Sequence, residues 1–255
     1  MRAVFFVILI SIVLCGRAYA DSAYKLGMTK DISISAGALG LFGASLFIDA
    51  NKGAPQSSGS VNWFDDGFVY GYNRTIDDVS TVMAVGVALM PFATAGFVDN
   101  NWSTMGTYSA MYGEALLLTY STFEIIKKTT SRNRPYTYKG DVPSGKENDY
   151  YKSFPSAHTA FSFLGAGFLT SVLLADYRDS KWTMPLIVGS YSIAASVGVM
   201  RILSGSHFLS DVLVGAVISS FFAYFIPWMH KKDQSFNSHM SMSIRPAGLC
   251  FSMSF

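Results

Sequence analysis

Charge is scarce in this chain of 255 residues, of which only 14% are charged while half are hydrophobic. The net charge of +2 is too small to indicate a nucleic-acid partner, and no run of Lys and Arg is interleaved with aromatic residues. The apolar excess favours a membrane protein or a tightly packed helical bundle. The length suits one domain with a sizeable core.

Cysteine is almost as scarce, since Cys15 and Cys250 are the only two. Residues 1–20 have the pattern of a secretory signal: a charged start, an apolar stretch and a final Ala-Tyr-Ala cleavage site. An uncleaved anchor is the alternative. Cleavage would leave Cys250 alone, which excludes an intramolecular disulfide and offers neither a cysteine nucleophile nor a cysteine metal site.

Six further apolar segments predict the fold. They lie near residues 31–49, 79–98, 108–127, 158–175, 184–200 and 209–229. The last is long enough to cross a bilayer and ends in Trp and Lys residues typical of a membrane interface. We therefore expect an all-α, membrane-embedded six-helix bundle over residues 21–232. The first segment is short and rich in glycine, so it is also compatible with a helix that lies along the membrane surface. A tail at 233–255 follows, in which alternation from Ser241 allows a short strand.

Helix parity brings two distant polar loops together. The long loop at 128–157 joins the third and fourth helices, and the loop at 201–211 joins the fifth and sixth. In an up-and-down bundle both loops emerge at the same end. That end collects three cations, two imidazoles and one carboxylate: Lys127, Arg134, Arg201, His158, His207 and Asp211.

Each of these residues has an ordinary structural explanation, such as a basic helix end or a local His–Asp pair. Their convergence is better explained by phosphoryl transfer without a metal. Cations stabilise the charge on the non-bridging oxygens, and the amides that open the fourth helix at Pro155-Ser156-Ala157-His158 add donors for an anion. One neutral imidazole can attack phosphorus, and a protonated one can donate to the leaving group. No carboxylate cluster accompanies these histidines, so we predict no metal and no cofactor.

The residues resemble the motifs of the type 2 phosphatidic acid phosphatase (PAP2) superfamily, which also includes class A acid phosphatases and vanadium haloperoxidases. The three motifs are present as "KKTTSRNRP" from Lys127, "PSAH" from Pro155 and "MRILSGSHFLSD" from Met200. The resemblance covers about residues 120–230 and is nearest to the bacterial lipid phosphatase branch.

This resemblance implies specific roles. His207 is the expected nucleophile that forms a phosphohistidine, Asp211 its orienting partner, and His158 the general acid. The expected phosphate ligands are Lys127, Arg134, Ser156, the Ala157 amide and Arg201. Two positions depart from the family pattern: Ala157 replaces Gly, where a positive φ would be costly, and Met200 replaces Ser.

The resemblance further implies a metal-independent phosphatase that hydrolyses phosphate monoesters or pyrophosphates. The expected substrate is a phospholipid or an isoprenoid phosphate, and the expected partner is the membrane. We expect a bacterial cell-envelope protein of the inner membrane with a periplasm-facing site. A soluble periplasmic acid phosphatase of broad specificity is the alternative, followed by a vanadate-dependent haloperoxidase and by a non-enzymatic interaction protein.

Overall fold

The computed structural model describes residues 22–50, 61–98, 102–140, 142–232, 241–245 and 248–252. The signal segment predicted at residues 1–20 lies outside these ranges. The helices of the described part are α1 (Met28–Leu46), α2 (Arg74–Val98), α3 (Trp102–Thr130), α4 (Ala157–Asp176), α5 (Thr183–Leu203) and α6 (Leu209–His230). The predicted six-helix fold is confirmed, with each helix overlapping its apolar segment.

Four helices are long and apolar enough to cross a membrane. These segments are Arg74–Ala93 in α2 and the whole of α4, α5 and α6. Many of their apolar side chains face outward, among them Val82, Val188 and Val217, each more than 60% exposed. A large apolar surface of this kind requires a lipid environment. The chain is therefore a membrane protein.

Helix α4 lies at the centre of the bundle and packs against α2, α3, α5 and α6. Its buried Leu164 and Phe168 join a core with Tyr112 of α3 and Ile226 of α6. The ring centroids of Tyr112 and Phe168 are 4.8 Å apart. Because α4 is held on every side, its first turn has a fixed position at one end of the bundle.

Two glycines permit close backbone approaches near that end. A Cβ on Gly215 of α6 would lie 2.7 Å from the Ser156 carbonyl oxygen, so only glycine lets α6 pass this close to the start of α4. Gly205 has a φ of +69°, and a Cβ there would lie 2.5 Å from the Gly71 carbonyl oxygen. The segment before α2 is thereby pressed onto the loop between α5 and α6.

Helix α1 runs the whole height of the bundle along α3. At its start, Asp31 lies 2.9 Å from His230, the last residue of α6. At its end, the Ser45 carbonyl accepts a hydrogen bond of 2.7 Å from Lys128, near the end of α3. We call the end that contains His230 the base and the end that contains Lys128 the cup end. The arrangement favours a helix that crosses with the others over one that lies along the membrane surface.

Two short strands lie in the C-terminal tail. β1 (Ser241–Arg245) pairs antiparallel with β2 (Gly248–Ser252), with Ser241 opposite Ser252 and Arg245 opposite Gly248. The alternating sequence allowed one strand, and the described backbone contains a hairpin. The regular elements among the described residues of 22–232 are helices.

Candidate active site

The polar loops meet at the cup end, as helix parity predicts. The Nη1 atom of Arg134 lies 3.3 Å from Nε2 of His207 and donates a 3.0 Å hydrogen bond to the Ser206 carbonyl. Arg134 comes from the loop after α3, whereas His207 comes from the loop before α6. We use the name cup for the group of eight predicted site residues, which are Lys127, Arg134, Ser156, Ala157, His158, Arg201, His207 and Asp211.

His207 is buried, and its ring orientation is set by the backbone. Its Nδ1 atom lies 2.6 Å from the Ser153 carbonyl oxygen, which can only accept a hydrogen bond. Nδ1 therefore carries a hydrogen, and Nε2 of the neutral ring keeps its lone pair. Burial lowers the pKa of His207 well below its usual value, and the charges of Arg134, Arg201, Lys127 and His158 lower it further. The ring is thus held neutral, as a nucleophile requires.

Asp211 does not form the expected direct hydrogen bond to His207. Its Oδ2 lies 3.7 Å from Nδ1, beyond hydrogen-bonding distance. That oxygen instead accepts hydrogen bonds from the Ser153 hydroxyl at 2.5 Å and from the Phe208 amide at 2.9 Å. The physical reason is that the Ser153 carbonyl occupies the position beside Nδ1. Asp211 therefore contacts the imidazole only indirectly, through Ser153, and also binds the start of α6.

A second arginine, Arg132, ties this arrangement to the segment before α2. Its Nη1 lies 2.6 Å from Asp211 Oδ1, and its Nη2 lies 2.7 Å from Asp65 Oδ2. Both carboxylates are fully buried. Asp65 also accepts hydrogen bonds from the amide and hydroxyl of Ser210, in the first turn of α6. Although burial alone would raise it, the pKa of Asp65 is lowered by these hydrogen bonds.

The start of α4 has the form that an anion site needs. Ala157 is the first residue of α4, so its backbone is helical. The energetic cost that a positive φ would have at this alanine therefore does not arise. Ser156 is the N-cap residue; its amide donates to the Asp211 carbonyl at 3.0 Å, and its hydroxyl lies 3.0 Å from that of Thr159. Because these groups of Ser156 already have partners, the amides of Ala157 and His158 are the better anion donors.

The second imidazole is held by α2. Nε2 of His158 lies 3.2 Å from the Thr81 hydroxyl, which donates its own hydrogen to the Asp77 carbonyl at 2.8 Å. The Thr81 oxygen is therefore an acceptor, and Nε2 of His158 carries a hydrogen. Electrostatic interaction with His158 is among the causes that lower the pKa of His207, so the two imidazoles lie near each other.

Arg201 is buried and points at a carboxylate. Its Nη1 lies 2.7 Å from Asp77 Oδ1 and 3.1 Å from the Ser80 hydroxyl. Its Nε is buried and has no hydrogen-bond partner among the described residues. Asp77 also accepts a hydrogen bond from Ser206 at 2.7 Å and pairs with Lys146 at 3.2 Å. One side of the guanidinium is thus fixed, and a donor remains for another group.

The remaining cations are held by the long loop between α3 and α4. The ammonium of Lys127 donates to the carbonyls of Pro155 at 2.5 Å and Lys152 at 3.1 Å. Arg134 forms a 2.7 Å ion pair with Asp149. Burial raises the pKa of Asp149, but the charges of Arg134 and of nearby lysines hold it below its usual value. The loop therefore positions both cations beside the start of α4.

Several of these partners have no recognisable pattern in the sequence. Arg132 lies inside the first motif, but the motif pattern assigns the phosphate-binding role to Arg134. Asp77 is a carboxylate in the first turn of an apolar helix, and an ionisable residue in such a helix indicates a functional position. Asp65 and Ser153 lie in loops without a recognisable pattern, so only the folded structure identifies them.

The protein is a helical membrane bundle with buried cations and two imidazoles at one end. Residues 109–235 match the family model described as the PAP2 superfamily. The chain belongs to this superfamily, as the three motifs indicated.

Individual relatives match only part of the chain, at 29–35% identity. A probable diacylglycerol pyrophosphate phosphatase 1 of Schizosaccharomyces pombe is 35% identical over 31% of this chain and 30% of its own length. A probable lipid phosphate phosphatase 4 of Arabidopsis thaliana is 29% identical over 44% of each chain. The chain thus spans less than half the length of these curated relatives.

Among solved structures, the chain is similar to a transmembrane PAP2-type phosphatidylglycerolphosphate phosphatase from Bacillus subtilis. The identity is 17% and the TM-score 0.46, with 93% of this chain and 100% of that chain covered.

Proposed function

We propose that the chain is a phosphatase that hydrolyses phosphate monoesters or pyrophosphates of lipids without a metal. The observation that carries this proposal is the state of His207: buried, neutral, and held by the Ser153 carbonyl with Nε2 next to Arg134. An imidazole in this state is a nucleophile, and the neighbouring cation favours an anionic substrate. Membership of the PAP2 superfamily agrees with this reading.

Substrate binding would use the donors that surround the imidazole. Arg134 and Arg201 have planar guanidinium groups suited to phosphate oxygens, and the Nε of Arg201 still lacks a partner among the described residues. Lys127 contributes a third charge, and the amides of Ala157 and His158 contribute the N-terminus of α4. Together these groups would neutralise a phosphate dianion in a buried site.

Chemistry would proceed in two displacements. Nε2 of His207 attacks phosphorus, the bond from phosphorus to the leaving oxygen breaks, and His158 gives its proton to that oxygen. His158, now neutral, accepts a proton from water as the water oxygen attacks phosphorus. The bond between phosphorus and nitrogen then breaks, which releases inorganic phosphate and restores neutral His207. Protonation of His158 in the first step is favoured by the bound dianion.

A lipid substrate is supported by the surroundings of the cup. The helices carry exposed apolar side chains, and Trp63, two residues before Asp65, is 89% exposed. An exposed tryptophan beside an apolar bundle is typical of a membrane interface. We propose a phospholipid or isoprenoid phosphate, whose tail stays in the bilayer while its phosphate enters the cup.

The orientation of the bundle in the membrane depends on whether α1 crosses it. The predicted periplasm-facing cup places the base, which carries Lys25, Lys30, Lys231 and Lys232, in the cytoplasm. If all six helices cross, export of Ser22 after a cleaved signal would instead place the base outside. A cleaved signal and a periplasmic cup are therefore incompatible in this arrangement, and we propose the periplasmic cup. Labelling by a membrane-impermeant thiol reagent, of Lys139→Cys at the cup end and Lys181→Cys at the base, separates the two orientations.

Activity is tested by phosphate release in detergent micelles. The panel comprises phosphatidate, phosphatidylglycerophosphate, an isoprenoid pyrophosphate and a soluble monoester, each assayed with wild type and with His207→Gln. We expect release from at least one lipid substrate, a loss of at least about 10³-fold in the variant, and weaker activity on the soluble ester. Equal rates for wild type and variant would contradict the proposal, as would a preference for soluble esters.

A further inference from the structure

A second group of chemically active side chains lies at the base, remote from the cup. Asp31 of α1, Glu114 of α3 and His230 of α6 each direct one ligand atom toward the others, and these atoms all lie within 4.8 Å of one another. His230 is at the last residue of α6 and His207 lies before its first. The 22 residues of α6 therefore separate the two sites by about 30 Å.

The ring of His230 is oriented as in metal-binding histidines. Its Nδ1 lies 2.9 Å from the Ile226 carbonyl oxygen, so Nδ1 carries a hydrogen. Nε2 then faces Asp31 Oδ1 at 2.9 Å and Glu114 Oε2 at 3.4 Å. A histidine ligand commonly donates its other ring hydrogen to a backbone carbonyl, which fixes the ring and its tautomer.

Glu114 supplies a second, independent observation. This residue is 6% exposed, and its Oε2 has no hydrogen-bond partner among the described residues. A buried carboxylate oxygen without a partner is costly. Lys30 is close enough to interact with it electrostatically, but its ammonium donates a hydrogen bond to the Met229 carbonyl.

A proton on His230 does not satisfy this group. One hydrogen on Nε2 can be donated to Asp31, which leaves Glu114 Oε2 without a partner and the three side chains with a net charge of −1. A divalent cation bound to neutral His230 and both carboxylates would bring the net charge to zero and give each facing atom a partner. One imidazole with two carboxylates is a donor set suited to Zn²⁺ and to neighbouring first-row ions.

We propose that Asp31, Glu114 and His230 bind one divalent transition-metal ion that joins α1, α3 and α6 at the base. The ion has a structural role. It would secure the segment before α1, whose Lys25 amide donates to the His230 carbonyl at 2.8 Å. The proposal does not depend on the activity of the cup.

Metal content tests the proposal directly. Wild type, purified without a histidine tag, is equilibrated with Zn²⁺ and passed through metal-free buffer, and zinc is counted by mass spectrometry. We expect one zinc per chain in wild type and at least a tenfold loss in Glu114→Gln and His230→Gln. Glu124→Gln is the matched control, since it removes a carboxylate from the same helix outside the group. His207→Gln serves as a second control, and both controls should keep the zinc.

Two further measurements guard against misfolded variants. Co²⁺ should give a visible absorption spectrum with wild type that His230→Gln lacks. Asp31→Asn is the variant least expected to disturb folding, because the Asp31 side chain is 19% exposed. A hundredfold excess of Zn²⁺ over its Kd should raise the Tm of wild type by about 5–10 °C and leave that of Glu114→Gln unchanged. Folded wild type without bound zinc would overturn the proposal. So would equal zinc in the Glu114 and His230 variants, or zinc lost only in His207→Gln.

Discussion

Replacement of Arg132 by methionine gives the sharpest stability test of the network around the cup. The guanidinium of Arg132 lies 2.7 Å from Asp65 and 2.6 Å from Asp211. Both carboxylates are fully buried, so the variant Arg132→Met leaves two buried charges without their cation. Removal of one partner from a buried ion pair costs about 3–5 kcal/mol, which corresponds to a fall in Tm of about 6–20 °C for a chain of this size.

The activity should fall as well, because the effect passes to the nucleophile through two hydrogen bonds. Asp211 binds the Ser153 hydroxyl, and the Ser153 carbonyl binds Nδ1 of His207. If Asp211 is no longer held in place, the ring of His207 is less well positioned for attack. We therefore expect kcat to fall at least about tenfold with a smaller change in KM.

A double-mutant cycle separates this cause from a general loss of packing. Asp65→Asn removes one of the two buried charges. The free energy of unfolding lost in Asp65→Asn/Arg132→Met should therefore be smaller, by about 1–3 kcal/mol, than the sum of the losses in the two single variants. Unfolding is followed by circular dichroism in mixed micelles. A loss below about 1 kcal/mol in Arg132→Met would refute the reasoning, as would strict additivity in the cycle.

Three other predictions concern the cup and its surroundings. EDTA should leave the initial rate of phosphate release unchanged at temperatures where the protein stays folded; a prompt loss of rate would show that the reaction needs a metal. Trp63→Ala should raise KM several-fold for a substrate in vesicles but not for a soluble ester, while Trp182→Ala at the base should change neither; equal effects of both variants would argue against an interfacial role. Because the folded-state pKa of His207 is lowered, the unfolded chain takes up a proton near pH 6.5 that the folded chain refuses. Stability should therefore fall below pH 6.5 by up to about 1.4 kcal/mol per pH unit, and the slope should be shallower in His207→Gln; parallel slopes would contradict a neutral His207.

The helices were predictable because apolar periodicity and length are local properties of the sequence. Each predicted segment became a helix, although α3 extends over Trp102–Thr130 and carries the buried Glu114. Parity alone indicated that the two polar loops meet. The path of α1 was less predictable, since its glycines suit either a surface helix or a crossing one, and only the contacts of both its ends favour a crossing helix.

The residues of the cup were predictable where a motif fixes their spacing, but their partners were not. The spacing of His207 and Asp211 suggested a direct pair, whereas the Ser153 carbonyl takes the position beside Nδ1. Asp65 approaches the cup from a loop that is far away in sequence, and Ser153 lies 54 residues before the His207 ring that it binds. Contacts of this kind depend on tertiary packing, such as the close approach that Gly205 permits, and leave no periodic signal.

The proposed mechanism requires His207 to bond to phosphorus through Nε2. Rapid alkaline quenching during turnover of a phosphate-labelled lipid, followed by peptide mapping with mass spectrometry, tests it most directly. We expect a phosphoryl group on Nε2 of His207 that is absent from His207→Gln and accumulates in His158→Ala. A phosphoryl group on any other residue, or continued turnover by His207→Gln, would contradict it.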